Sequence, residues 1–244
     1  MNASTASLLI IGDEILSGRT QDKNISHIAA VLSQLGIDLK EVRIVSDDEV
    51  AIIEALNALR ARTTYLFTTG GIGPTHDDIT ADCVAKSFGV EISIDQRAVD
   101  MMRERAPQME MNEARLRMAR IPHGAQLIAC AASAAPGFSI GNVYVMAGVP
   151  HIMQSMLESV APKLAGGQPF HTLTIEAGNL KEGDYATPLQ AIASGFQDVM
   201  IGSYPRFTGA GYENSIVVRG RDKKSLDRAA KAVEAMLKEL GLHS

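Results

Sequence analysis

A basic patch is the first thing this chain lacks. Its 23 lysines and arginines stand against 28 aspartates and glutamates, giving a net charge of −5, and no stretch gathers positive charge. That argues against nucleic acid as the main partner. No apolar run approaches the roughly 20 residues a spanning helix needs, so no membrane partner is expected. The N-terminus "MNASTASLLIIGDEIL" has no basic region, and its apolar part is too short for a signal peptide. Cysteine is scarce: Cys83 and Cys130 are the only two, which excludes a disulfide framework. Both sit among apolar or small residues and read as buried, inert thiols. Internal repeats and low-complexity segments are absent. What is left is an ordinary globular composition, 46% hydrophobic and 21% charged, and the expectation of a cytoplasmic protein. At 244 residues the chain can form one large domain, or a medium one and a small one.

Strands and helices alternate. Residues 7–12, "SLLIIG", form a buried-type strand. Residues 25–36 form a helix with Ile25, Ile28, Ala29, Leu32 and Leu35 on one face and Gly36 where a C′ residue belongs. Strand 39–45, helix 49–62 (capped by Asp47 or Asp48) and strand "YLFTTG" follow. Single helices between strands predict a three-layer α/β fold, its sheet mainly parallel with helices on both faces. The middle, residues 95–122, reads as two short helices parted near Pro107 and holds five of the eleven methionines. Methionine as core filler explains them; an adaptable lid or subunit contact is the functional alternative. "GAQLI" and "NVYVMAG" read as strands, and helix 150–164 opens on Pro150. A boundary falls at "AGGQPF", so the expected domains are 1–165 and 170–244. The second reads strand 171–177, helix 183–195, strand 198–204, strand 214–220, helix 223–241, a small α+β unit.

The chemistry centres on "TTGGIGPTHDDIT", residues 68–80. Gly70, Gly71 and Gly73 lie where a strand hands over to a helix. Ligands of open parallel sheets bind beyond the carboxyl ends of strands. Glycines let backbone N–H groups approach an anion, and the next helix turns its positive end there. Thr68, Thr69 and Thr75 add hydroxyls, and His76 can donate to a phosphate. Neither a Walker A loop nor a dinucleotide fingerprint is present. Asp77 and Asp78 would repel a phosphate unless a divalent cation bridges them to it. An N-cap plus a solvated acid explains the same pair. Asp13 and Glu14 follow the first strand, with Ser17 and Gly18 nearby, and Asp47 and Asp48 follow the second. Three acidic pairs at strand ends that share one sheet edge form the pattern of a metal–phosphate site. His27, His123, His171 and His243 show no metal-ligand spacing. The segment "SYPRFTGAGYENS", residues 203–215, reads as a hairpin connection, with cover for a neighbouring subunit's site as the alternative.

Together, "TTGGIGPTHDDIT", "GDEILSGRTQDKNISHIAAVLSQLG", "VSDD", "SAAPGF" and "MAGVPHIM" resemble the MoaB/Mog molybdopterin-binding family. They are most similar to its CinA branch, the N-terminal part of the competence/damage-inducible proteins. The likeness is close over roughly residues 7–165, and the tail resembles the small domain that follows in CinA-type proteins. It implies a glycine loop at Gly70, Gly71 and Gly73, an essential acid at Asp78 and a second at Asp48. Gly12, Glu14, Gly18, Asp22 and Asn24 match another family motif. "VMAGVPHIM" matches a late ligand-contacting loop, placing Gly148 and Pro150 there, with His151 beside them. Ala147 and Ile152 depart from the family pattern of proline and glutamate.

Three readings follow from the resemblance. The first is metal-dependent hydrolysis of the pyrophosphate of ADP-ribose or a similar nucleoside diphosphate compound. Asp48 and Asp78 would be catalytic, Asp48, Asp77 and Asp78 would hold magnesium, manganese or cobalt, and the cofactor would be that divalent metal. The second is molybdopterin binding in molybdenum cofactor biosynthesis. The third is a non-catalytic binding module. The partner in each is a small nucleotide or pterin phosphate, and relatives associate as dimers or trimers, which implies a homo-oligomer. The nicotinamide-nucleotide amidase domain of full CinA proteins is not expected.

Overall fold

A computed structural model describes residues 4–207, 209 and 211–241. The chain divides into two compact units, meeting between Gly167 and Gln168. In chain order the first unit contains β1 (Thr5–Ile11), α1 (Asp13–Leu16), α2 (Asn24–Gln34), β2 (Asp38–Val45), α3 (Glu49–Arg60), β3 (Tyr65–Thr69) and α4 (Thr80–Phe88). It continues with β4 (Ile92–Ile94), α5 (Gln96–Arg105), α6 (Glu113–Arg117), β5 (Arg120–Pro122), β6 (Gln126–Ile128), β7 (Gly137–Ile140), β8 (Val143–Met146) and α7 (Pro150–Val160).

Its main sheet runs β2-β1-β3-β8-β7-β6. The pairs β1–β2, β1–β3 and β3–β8 are parallel, while β7 and β6 close one side antiparallel. The fold is therefore the α/β arrangement the alternation predicts. Leucine and isoleucine run unbroken through β1 because both faces are covered. Leu8 and Ile10 join the cluster containing Ile28, Leu32, Met153 and Leu157 of α2 and α7. Leu9 and Ile11 join Ile52, Leu56, Val84 and Met102 of α3, α4 and α5. Helix α4 ends on Gly89 at φ 64°, a left-handed cap that glycine adopts without strain. Three short strands escaped the sequence reading: β4 and β5, which pair with each other, and β7. Met102 is buried, and Met109, Met111 and Met118 pack against the same core, so methionine serves there as filler.

The second unit holds β9 (His171–Gly178), α8 (Glu182–Gly195), β10 (Val199–Tyr204), β11 (Asn214–Gly220) and α9 (Lys223–Glu239). Its sheet is antiparallel, ordered β10-β11-β9. Alternation in β11 buries Ile216 and Val218 against Leu226, Val233 and Leu237 of α9. Asp222 caps α9 by accepting from the N–H groups of Lys224 and Ser225. The β10–β11 connection is a hairpin with a Phe207–Tyr212 bridge; Thr208 and Ala210 within it lie outside the described residues.

Candidate functional site

The four parallel strands end at one edge of the sheet, and each hands over there to a loop carrying an expected site residue. Ile11 leads to Gly12 and Glu14, Val45 to Asp47, Thr69 to Gly70, and Met146 to Gly148. A cleft of about 560 Å³ opens at that edge. Glu14, Asp47, Gly70, Gly71, Gly73, Asp77, Asp78, Gly148 and Pro150 all line it.

The glycines are required first by the protein itself. Gly70 has φ 103°, and a Cβ there would stand 2.1 Å from the carbonyl oxygen of Ile11. Gly71 has φ 65°, and its Cβ would meet the Thr80 hydroxyl at 2.2 Å. Thr80, fully buried, ties both down. Its N–H donates to the Gly71 carbonyl at 3.0 Å, and its hydroxyl donates to the Gly70 carbonyl at 3.0 Å. The N–H of Gly70 donates to Met146 at 3.2 Å, while Gly148 approaches so closely that a Cβ would lie 3.2 Å from the Cα of Gly70. Asn24 donates from Nδ2 to the Gly148 carbonyl at 2.8 Å. Four loops are thereby locked into one floor of bare backbone. Thr80, the pin, closes the stretch 68–80 and carries no sign of this role in the sequence.

The acids divide. Asp78 folds back over its loop and accepts from the Thr75 N–H at 2.8 Å and the Thr75 hydroxyl at 2.5 Å. Asp77 is exposed; the Thr75 hydroxyl and its own backbone N–H hold its carboxyl below the usual range. Asp48 caps α3, accepting from the Ala51 N–H at 2.9 Å. Its neighbour Asp47 is the one that lines the cleft, where it accepts from the Asp13 N–H at 3.0 Å. Burial pushes the Asp47 carboxyl up, and the charges of Asp13, Glu14 and Asp77 push it further, against the Asp13 hydrogen bond. Negative charge thus accumulates at this corner. Yet among the described residues no three histidines, cysteines, aspartates or glutamates are gathered so as to hold a metal ion. Asp48, Asp77 and Asp78 do not form a ready-made metal site.

The other expected residues fall around the floor. Asn24 and Thr69 line a side cavity of about 60 Å³ shared with Glu14, Gly148 and Pro150. Both are buried, and the Asn24 Oδ1 and the Thr69 hydroxyl have no partner among the described residues. Ser17 borders a shallow recess with Asp13 and Glu14. His76 has a side chain 96% exposed beside Asp77, His151 is also exposed, and His243 lies outside the described residues. Cys83 and Cys130 are free and buried; burial, foremost, lifts the Cys83 thiol to about 12.

A floor of backbone amides ringed by carboxylates, beyond the carboxyl ends of parallel strands, defines an α/β small-ligand-binding domain. Residues 7–166 match the family described as the probable molybdopterin binding domain, and the chain belongs to that family. Residues 169–243 match the middle domain of FAD synthase. A protein of Archaeoglobus fulgidus is 29% identical over 95% of this chain and 97% of its own length. A CinA-like protein of Citrifermentans bemidjiense is 40% identical over 66% of this chain, and the match spans only 40% of that relative. The crystal structure of CinA, a protein of unknown function from Thermoplasma acidophilum, superposes with a TM-score of 0.62 at 32% identity. It covers 67% of this chain and 99% of its own. No helix among the described residues is long and apolar enough to cross a membrane.

Proposed function

We propose that the cleft binds a phosphate-bearing nucleotide or pterin and that the protein hydrolyses the pyrophosphate of ADP-ribose or a similar nucleoside diphosphate compound. One observation carries the reading: the four-loop floor of bare backbone stands directly beside the carboxylates of Glu14, Asp47, Asp77 and Asp78. Backbone amides suit the phosphate oxygens. Carboxylates beside a phosphate suit only a ligand that brings countercharge. In this reading a divalent cation, magnesium, manganese or cobalt, enters with the phosphates and supplies Lewis acidity. The likeness of the second unit to an FAD synthase domain adds flavin adenine dinucleotide, also a pyrophosphate, to the compounds to try. Molybdopterin binding without hydrolysis is the second reading, favoured by the family match over residues 7–166.

Thermal shifts with ADP-ribose, FAD, AMP and molybdopterin, each with and without the three metals, test the binding. A ligand at one hundred times its dissociation constant adds about 2.7 kcal/mol of stability. Hydrolysis is tested with Asp78→Asn, whose remaining amide oxygen can still accept from Thr75. The variant is expected to stay within about 1 kcal/mol of wild-type stability. Its metal-dependent turnover is expected to fall by orders of magnitude. A wild-type protein that cleaves neither ADP-ribose nor FAD with any of the metals sinks the hydrolase, and tight molybdopterin binding by that protein would put the second reading in its place.

A further inference from the structure

Two arginines enter the wall of the glycine loop, and only one of them is neutralised. Arg120 makes a two-pronged ion pair with Asp82, Nη1 to Oδ2 at 2.7 Å and Nη2 to Oδ1 at 2.6 Å. The side chain of Arg117, the last residue of α6, has no hydrogen bond or ion pair among the described residues, and its Nε is buried without an acceptor. Both line a small cavity of about 20 Å³ together with Gly71, Gly73 and Asp78. That volume accommodates an oxygen atom or two. Gly71, Ile72, Gly73, Asp78 and Met118 line both this cavity and the main cleft, so the cavity is a side pocket of the cleft. Among the described residues no lysine or arginine lines the main cleft.

We infer that Arg117 is the anion-binding residue of the cleft, donating from its guanidinium to a phosphoryl oxygen that enters the side pocket beside Gly71 and Gly73. A part-buried guanidinium with an unmet donor is costly to leave unpaired, and a phosphate oxygen is the acceptor its fork fits best. Charge is thus divided along the cleft. The carboxylates of Asp13, Glu14 and Asp77 crowd Asp47, while Arg117 stands in the side pocket with Asp78 and with Arg120, which Asp82 neutralises. A pyrophosphate lies across such a site in one direction: one phosphoryl group on Arg117, the other toward the acids with its cation. The inference rests on the glycine loop being an anion cradle and not on hydrolysis.

Inorganic pyrophosphate is the probe, titrated calorimetrically into the full chain in the presence of magnesium. Charge-assisted hydrogen bonds of this kind convert to about a ten- to hundredfold loss of affinity in Arg117→Gln, with Arg117→Lys in between. Arg115→Gln, two residues away on the same helix and bonded to the Glu110 carbonyl, should bind as wild type. A lowered melting temperature in Arg117→Gln with unchanged pyrophosphate affinity would make the residue a packing element and overturn the inference. So would a wild-type protein that binds no pyrophosphate. Arginine-dependent pyrophosphate binding in a protein that cleaves no organic pyrophosphate leaves the inference standing while the hydrolase falls.

Discussion

Asn214 in the second unit and Asn24 in the first are both buried asparagines, and their amides fare differently. Asn214 is satisfied at both ends, donating to the Leu180 carbonyl at 2.7 Å and accepting from the Arg206 N–H at 3.1 Å. Asn24 donates to Gly148 and leaves Oδ1 empty. The contrast extends to each unit as a whole. The buried polar atoms without a partner, among the described residues, belong to Ser7, Asn24, Thr68, Thr69 and Arg117, all of the first unit. An unmet buried polar group costs about 1–3 kcal/mol. Three of these five border the cleft or its side cavities. Among the described residues the second unit satisfies its buried side-chain polar atoms, while the first leaves Asn24, Thr69 and Arg117 unmet at the edge where a ligand would sit.

The contrast is broken or sharpened by substitution, and glycine gives the largest effect. Gly71→Val must fit a branched side chain at φ 65° against Thr80, and is expected to destabilise the first unit by about 3 kcal/mol or more. Gly183→Ala, in the exposed first turn of α8 with nothing within 4 Å, should stabilise the second by about half a kcal/mol. Hydrogen exchange resolved by unit reads both, and undiminished protection of the first unit in Gly71→Val would reduce the glycine loop to a permissive turn. Next come the polar groups. Asn214→Ala removes a buried amide together with both of its part-buried hydrogen bonds and should cost about 2 kcal/mol in urea unfolding. Thr69→Val removes a hydroxyl with no partner and should change stability by no more than about 0.5 kcal/mol while weakening ligand binding. Equal losses from the two changes would erase the distinction between the units.

The smallest effect is electrostatic. Asp47 has its carboxyl pushed above the ordinary 3.8, so its ionised form is penalised in the folded state. That penalty is absent below the unfolded value and grows as pH rises through the folded one. Asp47→Asn, which can still accept from the Asp13 N–H, should therefore melt slightly above wild type at neutral pH, with the advantage shrinking toward pH 4. An advantage that grew on acidification would contradict the crowding of charge at that corner.

Much of this was legible in the sequence because the physics behind it is periodic or local. Continuous apolar runs gave β1 and β3, and the 3.6-residue stripe gave α2, α3 and α9. Strands β4 and β5, three residues each, are too short to show any period. β7 had a readable sign, the Gly141–Asn142 pair between it and β8, with Gly141 at φ 56°. In the site, neighbouring acids were hard to tell apart. Asp47 and Asp48 look alike in a string, but Asp48 stands three residues before Ala51, the spacing of an N-cap, and a capping carboxylate is turned to its helix. Arg117 carried no sign at all. Its meaning comes from the cavity that the fold places beside it, and from Arg120 having Asp82 while it has no such partner.

One strand pairing also orders events during synthesis. The chain leaves the ribosome from its amino end, so β3 is complete at residue 69, but its neighbour β8 is not finished until residue 146. Throughout that interval one flank of the middle strand is an open edge, the kind to which other chains attach. Gly70 must also wait, because the carbonyl that receives its N–H belongs to Met146. The nascent protein therefore has the carboxylates of the cleft early and its glycine floor late. The floor closes only when β8 docks, and that docking is the same step that shields the exposed strand.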